Sequence, residues 1–211
     1  MLVHTPLMAQ NKRDTGHLYI HLSPAFLAAH NFYLGLQPGL QYIYNNWAAD
    51  AEFAFPLPNS SKNNLEKDRY RRFGFEVKKY RSKIFATAKR YHSLQLNYAL
   101  RRIADNNGGY YYDGFSDSVF YYNKATIHSP VLAIALKTGR TYTFKKPFFL
   151  DVFGGIGLRR IFTSYSNVEN VRKDRIGRKD LTLVPPPSHE FDQTLTRFHI
   201  TAGFRLGVQI K

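Results

Sequence analysis

The sequence predicts an all-β fold: an antiparallel up-and-down transmembrane β-barrel of about eight strands. Three observations predict it. Long segments alternate between apolar and polar residues with a period of two, as strands with one greasy and one wet face do. Aromatic residues make up 16% of the chain, with 15 Tyr and 17 Phe against one Trp, which suits strands and membrane interfaces. The longest apolar run is the six residues Val131 to Leu136, far short of the roughly 18 a transmembrane helix needs. A chain of this kind that spans a membrane must do so as a closed barrel, because only helices and barrels satisfy every backbone polar group in hydrocarbon.

The final segment is the clearest. Phe198, Ile200, Ala202, Phe204, Leu206, Val208 and Ile210 alternate with His199, Thr201, Gly203, Arg205, Gly207, Gln209 and Lys211. Further back, Leu150, Val152, Ile156 and Leu158 oppose Asp151, Gly155, Gly157 and Arg159, with Phe153 out of pattern. Leu94, Leu96, Tyr98 and Leu100 oppose Ser93, Gln95, Asn97 and Arg101; Phe73, Phe75 and Val77 oppose Gly74, Glu76 and Lys78. In the first half, Leu36, Leu40, Tyr42 and Tyr44 oppose Gln37 and Gln41, with Ile43 out of pattern, and Trp47, Ala49, Ala51, Phe53 and Phe55 oppose Asp50 and Glu52. Leu18, Ile20 and Leu22 oppose His17, Tyr19, His21 and Ser23, and Leu132, Ile134 and Leu136 form a weaker set. These give strands near 16–29, 33–45, 47–57, 72–82, 91–103, 119–137, 148–164 and 196–211.

A soluble sandwich or lipocalin-like barrel also alternates. Here the polar face mixes both signs of charge: Asp50, Glu52, Glu76, Lys78, Arg101, Asp151, Arg159 and Arg205. That mixture suits ion pairs inside a narrow barrel with lipid outside, and strand length favours the membrane solution. Eight strands imply an interior just filled by side chains, which argues against transport of large solutes.

The connections alternate in length, except for the first hairpin near His30-Asn31. Asn45-Asn46 is a tight turn; 83–90 and 138–147 are moderate; 58–71, 104–118 and 165–195 are long, and 104–118 carries the turn signal Asn106-Asn107-Gly108-Gly109. With the N-terminus in the periplasm, the long connections face outward and both termini lie inside, the usual arrangement of such barrels. Tyr42, Tyr44 and Trp47 sit where an inner aromatic belt belongs, and Tyr110, Tyr111, Tyr112, Tyr121 and Tyr122 fit either an outer belt or loops. Residues 1–14 read as the remnant of a secretory signal peptide or as a disordered terminus, leaving 15–211 as one barrel domain.

The segment Phe148–Arg159 followed by Phe198–Lys211 resembles small bacterial outer-membrane β-barrel proteins of OmpX or OmpA-barrel architecture, uncharacterised families of that type among them. The resemblance covers roughly residues 15–211. It implies an outer-membrane location, assembly by the barrel-assembly machinery, and no catalytic residues. The chain departs from the pattern at its end, Gln209-Ile210-Lys211, where such barrels often carry an aromatic residue.

A formal net charge of +15 with no cysteine calls for an anionic partner and excludes thiolate metal sites and cysteine nucleophiles. Arg69, Arg71 and Arg72, with Arg172, Lys173, Arg175, Arg178 and Lys179, lie in or beside the outer loops as candidate contacts to lipopolysaccharide phosphates; a solvated loop is the plainer reading. His21-x-Ser23 and His92-Ser93 raise a lipopolysaccharide-modifying hydrolase as an alternative, although a short motif of this kind matches by chance very often. Gly154-Gly155-x-Gly157 lacks the Lys-Ser/Thr of a phosphate loop and suits strand curvature or close packing instead. No spacing supports a metal site, and no cofactor is expected. A soluble basic β-protein binding nucleic acid is a further alternative that fits the charge but shows no recognisable motif, so no nucleic-acid partner is expected. The leading expectation is a monomeric, non-enzymatic barrel with a structural, adhesive or surface-interaction role.

Overall fold

A computed structural model describes residues 16–28, 32–56, 69–81, 88–105, 108–113, 118–144, 147–175, 191–192 and 194–210. Eight antiparallel strands close on themselves. In chain order the elements are β1 (His17–Ala28), β2 (Phe32–Tyr44), β3 (Trp47–Pro56), β4 (Arg69–Tyr80), β5 (Ala88–Asp105), β6 (Gly109–Asp113), β7 (Ser118–Tyr122), β8 (Lys124–His128), β9 (Val131–Thr143), β10 (Phe148–Phe162), β11 (Ser164–Glu169), β12 (Arg172–Arg175), β13 (Phe191–Asp192) and β14 (Thr194–Gln209). The wall runs β1-β2-β3-β4-β5-β9-β10-β14 and returns to β1. Closure leaves no sheet edge along most of the wall, so the backbone pairs within itself.

The apolar set faces out. Leu94, Leu96, Phe73, Phe75, Ile134, Leu136, Ile156, Leu206, Ile20 and Leu40 are all exposed on the outer surface, while Lys78, Asp50, Asp151 and Arg205 are buried in the lumen. A soluble barrel does the opposite, and a continuous apolar surface of this extent around a closed wall has no stable place in water. The molecule is therefore built as a transmembrane β-barrel, with a hydrocarbon-facing wall and a polar lumen.

Two residues broke the alternation, and the lumen explains both. Phe153 faces inward, where the Arg205 guanidinium lies 4.4 Å and Lys137 Nζ 3.8 Å from its ring centre, a placement that lets its face meet cations. Ile43 also points in, against a small cluster of Ala48, Tyr80 and Tyr91.

At one end the connections are short. Asn45 takes a positive φ of 53° in the Asn45-Asn46 turn, a backbone region that asparagine tolerates better than most residues. Tyr44, Trp47, Phe144 and Phe148 are exposed around this rim, and Lys79 Nζ lies 4.9 Å from the Trp47 ring. Aromatic and basic residues collect at such interfaces because one side is apolar and the other wet.

The expected strand limits need correction, beginning with the fourth strand, which starts at Arg69. The fifth strand extends to Ala88 at one end and Asp105 at the other. The expected sixth strand, 119–137, is three strands: Asn123 separates β7 from β8, and Ser129-Pro130 separates β8 from β9. Proline cannot donate to a ladder, so the strand breaks there. Beyond the break β9 continues to Thr143, so the connection expected at 138–147 shortens to a turn at its far end. The long connections 104–118 and 165–195 also hold structure of their own. β8 pairs both β5 and β11, and β12, β7, β6 and β13 form a second sheet beyond the barrel. Tyr110–Tyr112 belong to β6 within it; Tyr111 stacks on Tyr165 at 4.2 Å and on Phe120 at 5.2 Å.

The wall is tightest around the glycines of β10. A side chain on Gly155 would bring its Cβ within 2.3 Å of the Leu136 carbonyl oxygen, and one on Gly157 within 2.2 Å of the Ile134 carbonyl oxygen. On the outward side of the same strand, Gly154 has room, with its nearest contact at 3.9 Å. Gly155→Val should therefore lower the stability of the refolded barrel by on the order of 1–3 kcal/mol, as overpacking does, while Gly154→Ala leaves it nearly unchanged. Urea-unfolding midpoints of the two variants in lipid vesicles check this; equal midpoints contradict it.

Candidate functional site

The candidate site is the lumen, because every inward side chain of the alternating pattern converges there. Its middle is an ion-pair network centred on Arg205 of β14. Arg205 Nε donates to Glu52 at 2.5 Å, Nη2 to Glu76 at 2.6 Å and Nη1 to Asp151 at 3.0 Å. Lys78 Nζ lies 2.9 Å from Asp151 and 3.1 Å from Asp50. Lys137 Nζ donates to Glu76 at 2.7 Å. His21 Nε2 meets Asp50 at 2.8 Å, and Tyr91 donates its hydroxyl proton to Asp151 at 3.0 Å. Gln37 and Gln95 both reach Glu52.

The alternation brought these groups together because residues of one parity on all eight wall strands share the inside. Of the residues read from the sequence, Asp50, Glu52, Glu76, Lys78, Asp151 and Arg205 meet here. Arg101 and Arg159 do not; they lie nearer the loop end, lining a separate cavity. Sequence reading missed Lys137, although it shares the parity of Ala133 and Ala135, and it missed His21 as the partner of Asp50 and Tyr91 as the partner of Asp151. Gly39, opposite His21 in the β1–β2 ladder, leaves the imidazole its space: a Cβ there would lie 2.2 Å from the ring.

Among the described residues, His21, Asp50 and Glu52 form one group whose ligand atoms lie within 4.8 Å of one another. Lys78 and Arg205 already neutralise its two carboxylates. A divalent ion would meet two fixed cations there, so the arrangement is an ion-pair network rather than a metal cage. Sequence spacing could not show this group, because it spans β1 and β3.

The hydrolase motifs fare differently from one another. His92 is exposed on the outer face and Ser93 buried on the inner one, so the two cannot act together. His21 does face the lumen beside Ser23, but its Nε2 bonds Asp50 and its Nδ1 lies 4.0 Å from Glu52. Both ring nitrogens face carboxylates, and neither is turned to a serine hydroxyl.

The basic residues assigned to the outer loops also separate. Arg71 is exposed on the outer wall, and Arg172 and Lys173 are exposed on β12, where Lys173 Nζ lies 5.6 Å from the Phe120 ring. Arg72 differs from these: it shares the parity of Gly74 and Glu76, points inward and donates to Gln37, so it lies in the lumen and not on the outer wall. Arg69 and Arg175 occupy strand positions at the ends of β4 and β12, and Arg178 and Lys179 lie outside the described residues.

The lumen is not filled throughout, which corrects the expectation of a packed interior. Above the network, a cavity of about 490 Å³ opens toward the loop end, lined by Arg72, Arg101, Arg159, Asn97 and His199 among others. A smaller one of about 160 Å³ sits at the turn end between Tyr19, Gln41 and Thr141. The network lies between them and closes the barrel to through-flow.

The chain is a closed eight-stranded β-barrel. Among solved structures it is similar to neisserial surface protein A, with 12% identity over 92% of this chain and 94% of that one and a TM-score of 0.40. It is also similar to a major outer membrane protein from Thermus thermophilus, with 9% identity over 93% of this chain and all of that one (100%) and a TM-score of 0.47. No family model matches the sequence, and no curated protein matches it.

The network sets a stability test. Arg205→Met leaves Glu52, Glu76 and Asp151 short of a buried cation, and removing one partner of such a set costs about 3–5 kcal/mol. Lys124→Gln breaks the half-exposed pair with Glu169, 2.8 Å apart, and should cost about 0–1 kcal/mol. Unfolding free energies in vesicles should separate the two variants clearly; a mild Arg205 variant would contradict the lumen geometry.

Proposed function

We propose that this protein is a non-enzymatic β-barrel of a bacterial outer membrane, with a structural, adhesive or surface-interaction role played by its loop end. One observation carries the reading: the apolar residues of the closed wall face out, and the charged residues pair inside. A barrel sealed by a buried ion-pair network is a poor channel. Its other distinctive surface is the tyrosine-rich sheet of β6, β7, β12 and β13 beyond the wall, where Tyr110 and Tyr121 are exposed. Tyrosine supplies rigid amphipathic contact area at small entropic cost, which suits a surface that meets partners.

In this reading the loop end is extracellular and the turn end, with both termini, periplasmic. The long connections and the second sheet favour that orientation. The outward bases Arg71, Arg172 and Lys173 are placed to meet lipopolysaccharide phosphates. The barrel-assembly machinery is the expected partner during biogenesis, and the folded protein acts as a monomer. A catalytic role gains no support from the lumen, where His21 is turned to two carboxylates.

Migration of detergent-refolded protein on gels, boiled against unboiled, tests the barrel. A distinct unboiled band, with β-rich circular dichroism only in detergent or lipid, is expected; folding in plain buffer without a band shift would overturn the reading. Replacing Arg71, Arg172 and Lys173 by Gln should then weaken lipopolysaccharide binding several-fold without removing the band shift. Unchanged binding would show that these bases are merely solvated.

A further inference from the structure

The barrel wall is open along part of one seam. β14 follows β10 over its whole length, from Phe148↔Val208 to Phe162↔Thr194. Its other neighbour, β1, pairs with it only from Tyr19↔Gln209 to Leu22↔Leu206. Among the described residues the β1–β14 ladder stops there, although both strands continue toward the loop end and β1 stays paired to β2 up to Ala28↔Phe32. Pro24 lies just past the last pair. Its missing N–H suits a free strand edge and not a paired interior. Phe198 and Ile200, on β14 beyond the stop, are 87% and 84% exposed, far more than outward residues elsewhere on the wall, because β1 does not flank them.

The cavity at the loop end reaches this opening. It is lined by inward residues such as Arg72, Arg101 and Arg159, and also by Ile200, Ala202 and Phe204, which face outward. With Pro24 of β1 also in the lining, the cavity lies beside the point where the β1–β14 ladder stops. Its polar side is strongly basic. Arg159 and Arg197 stand directly opposite in the β10–β14 ladder, a like-charge pairing that is destabilising on its own. Arg72 Nε, Arg159 Nε and His199 Nδ1 are buried without a hydrogen-bond partner. Among the described residues, Glu52 is the one carboxylate in the lining, and Arg205 engages it.

We propose that this cavity binds a phosphate-bearing amphiphile. The anionic head group enters the lumen between Arg72, Arg101 and Arg159, and the acyl chain leaves through the seam past Ile200 and Phe204 into the hydrocarbon. Guanidinium groups match phosphate with paired, charge-assisted hydrogen bonds. A phosphate there lowers the Arg159–Arg197 repulsion and gives the buried Nε–H groups of Arg72 and Arg159 an acceptor. The apolar flanks of the seam offer the chain the same surroundings as the bilayer. This inference rests on the transmembrane reading above and adds a ligand class to it.

The test is calorimetric titration of the refolded barrel, in an uncharged maltoside detergent, with three probes: lysophosphatidic acid, a neutral monoacylglycerol of the same chain, and inorganic phosphate. Lysophosphatidic acid should bind at least about tenfold more tightly than either of the others, as a charge-assisted head group added to a buried chain requires. Arg72→Gln/Arg159→Gln should weaken it by about tenfold or more, while Lys79→Gln, at the turn rim beside Trp47, leaves it unchanged. Equal binding of monoacylglycerol would remove the head-group site. Equal binding of inorganic phosphate would make it a plain anion site with no use for the seam. Absence of binding, or an unaffected double variant, would overturn the proposal. The unboiled gel band of each variant reports the barrel itself, so loss of folding is not mistaken for loss of the site.

Discussion

Arg205 holds the barrel together from the inside. Its guanidinium reaches Glu52 on β3, Glu76 on β4 and Asp151 on β10, and it stands itself on β14. Four strands spread around the wall are thereby tied across the lumen. The constraint behind this is solvation. A wall whose outer face meets hydrocarbon must pair its backbone within itself, and a wall of eight strands curves so tightly that inward side chains leave little room for water. Charges placed there lose their hydration and must be compensated by one another. Four carboxylates, Asp50, Glu52, Glu76 and Asp151, face Lys78, Lys137 and Arg205, with His21 as the fourth base. The charges are near balance, which is the condition for burying so many of them together.

Position along the axis then decides what each part of the lumen does. The central network closes the barrel. Toward the loop end the balance shifts: Arg72, Arg101 and Arg159 line a cavity in which Glu52 is the one carboxylate among the described residues, and the described β1–β14 ladder stops. Beyond the wall, the chain builds a second sheet from β6, β12 and β13, which lie in segments that read as loops, and from β7, which opens the expected sixth strand. Its tyrosines pack edge-on or tilted against one another, Tyr111 stacks on Phe120, and Arg172 and Lys173 are exposed. The +15 net charge of the chain is thus unevenly held, neutralised in the middle and carried in excess at the mouth and outer surface.

Much of the fold was legible because period-two alternation is a direct consequence of strand geometry. Parity assigned Asp50, Glu76, Lys78, Asp151 and Arg205 to one face, and the same parity assigns Arg72 and Lys137, the outermost residues of the expected strands 72–82 and 119–137, where a strand end and a loop read alike. Phe153 and Ile43 broke the pattern for local reasons, a cation beneath one ring and a small apolar cluster beside the other, that only packing reveals. Pro24 and Pro130 were visible signals of a free edge and a broken strand, yet which neighbour a strand loses is a property of closure and not of any segment. The pairing of His21 with Asp50 likewise joins strands that are not consecutive, and no spacing along the chain encodes it.

The account stands on which face of the wall meets hydrocarbon. Tryptophan fluorescence in bilayers containing brominated lipid measures that directly. In a Trp47→Phe background, a tryptophan replacing Leu136 should be strongly quenched by bromines in the acyl chains. One replacing Ala135, the adjacent inward residue, should be quenched weakly or not at all. Equal quenching at both positions, or stronger quenching at 135, would contradict an apolar wall turned to lipid around a charged lumen.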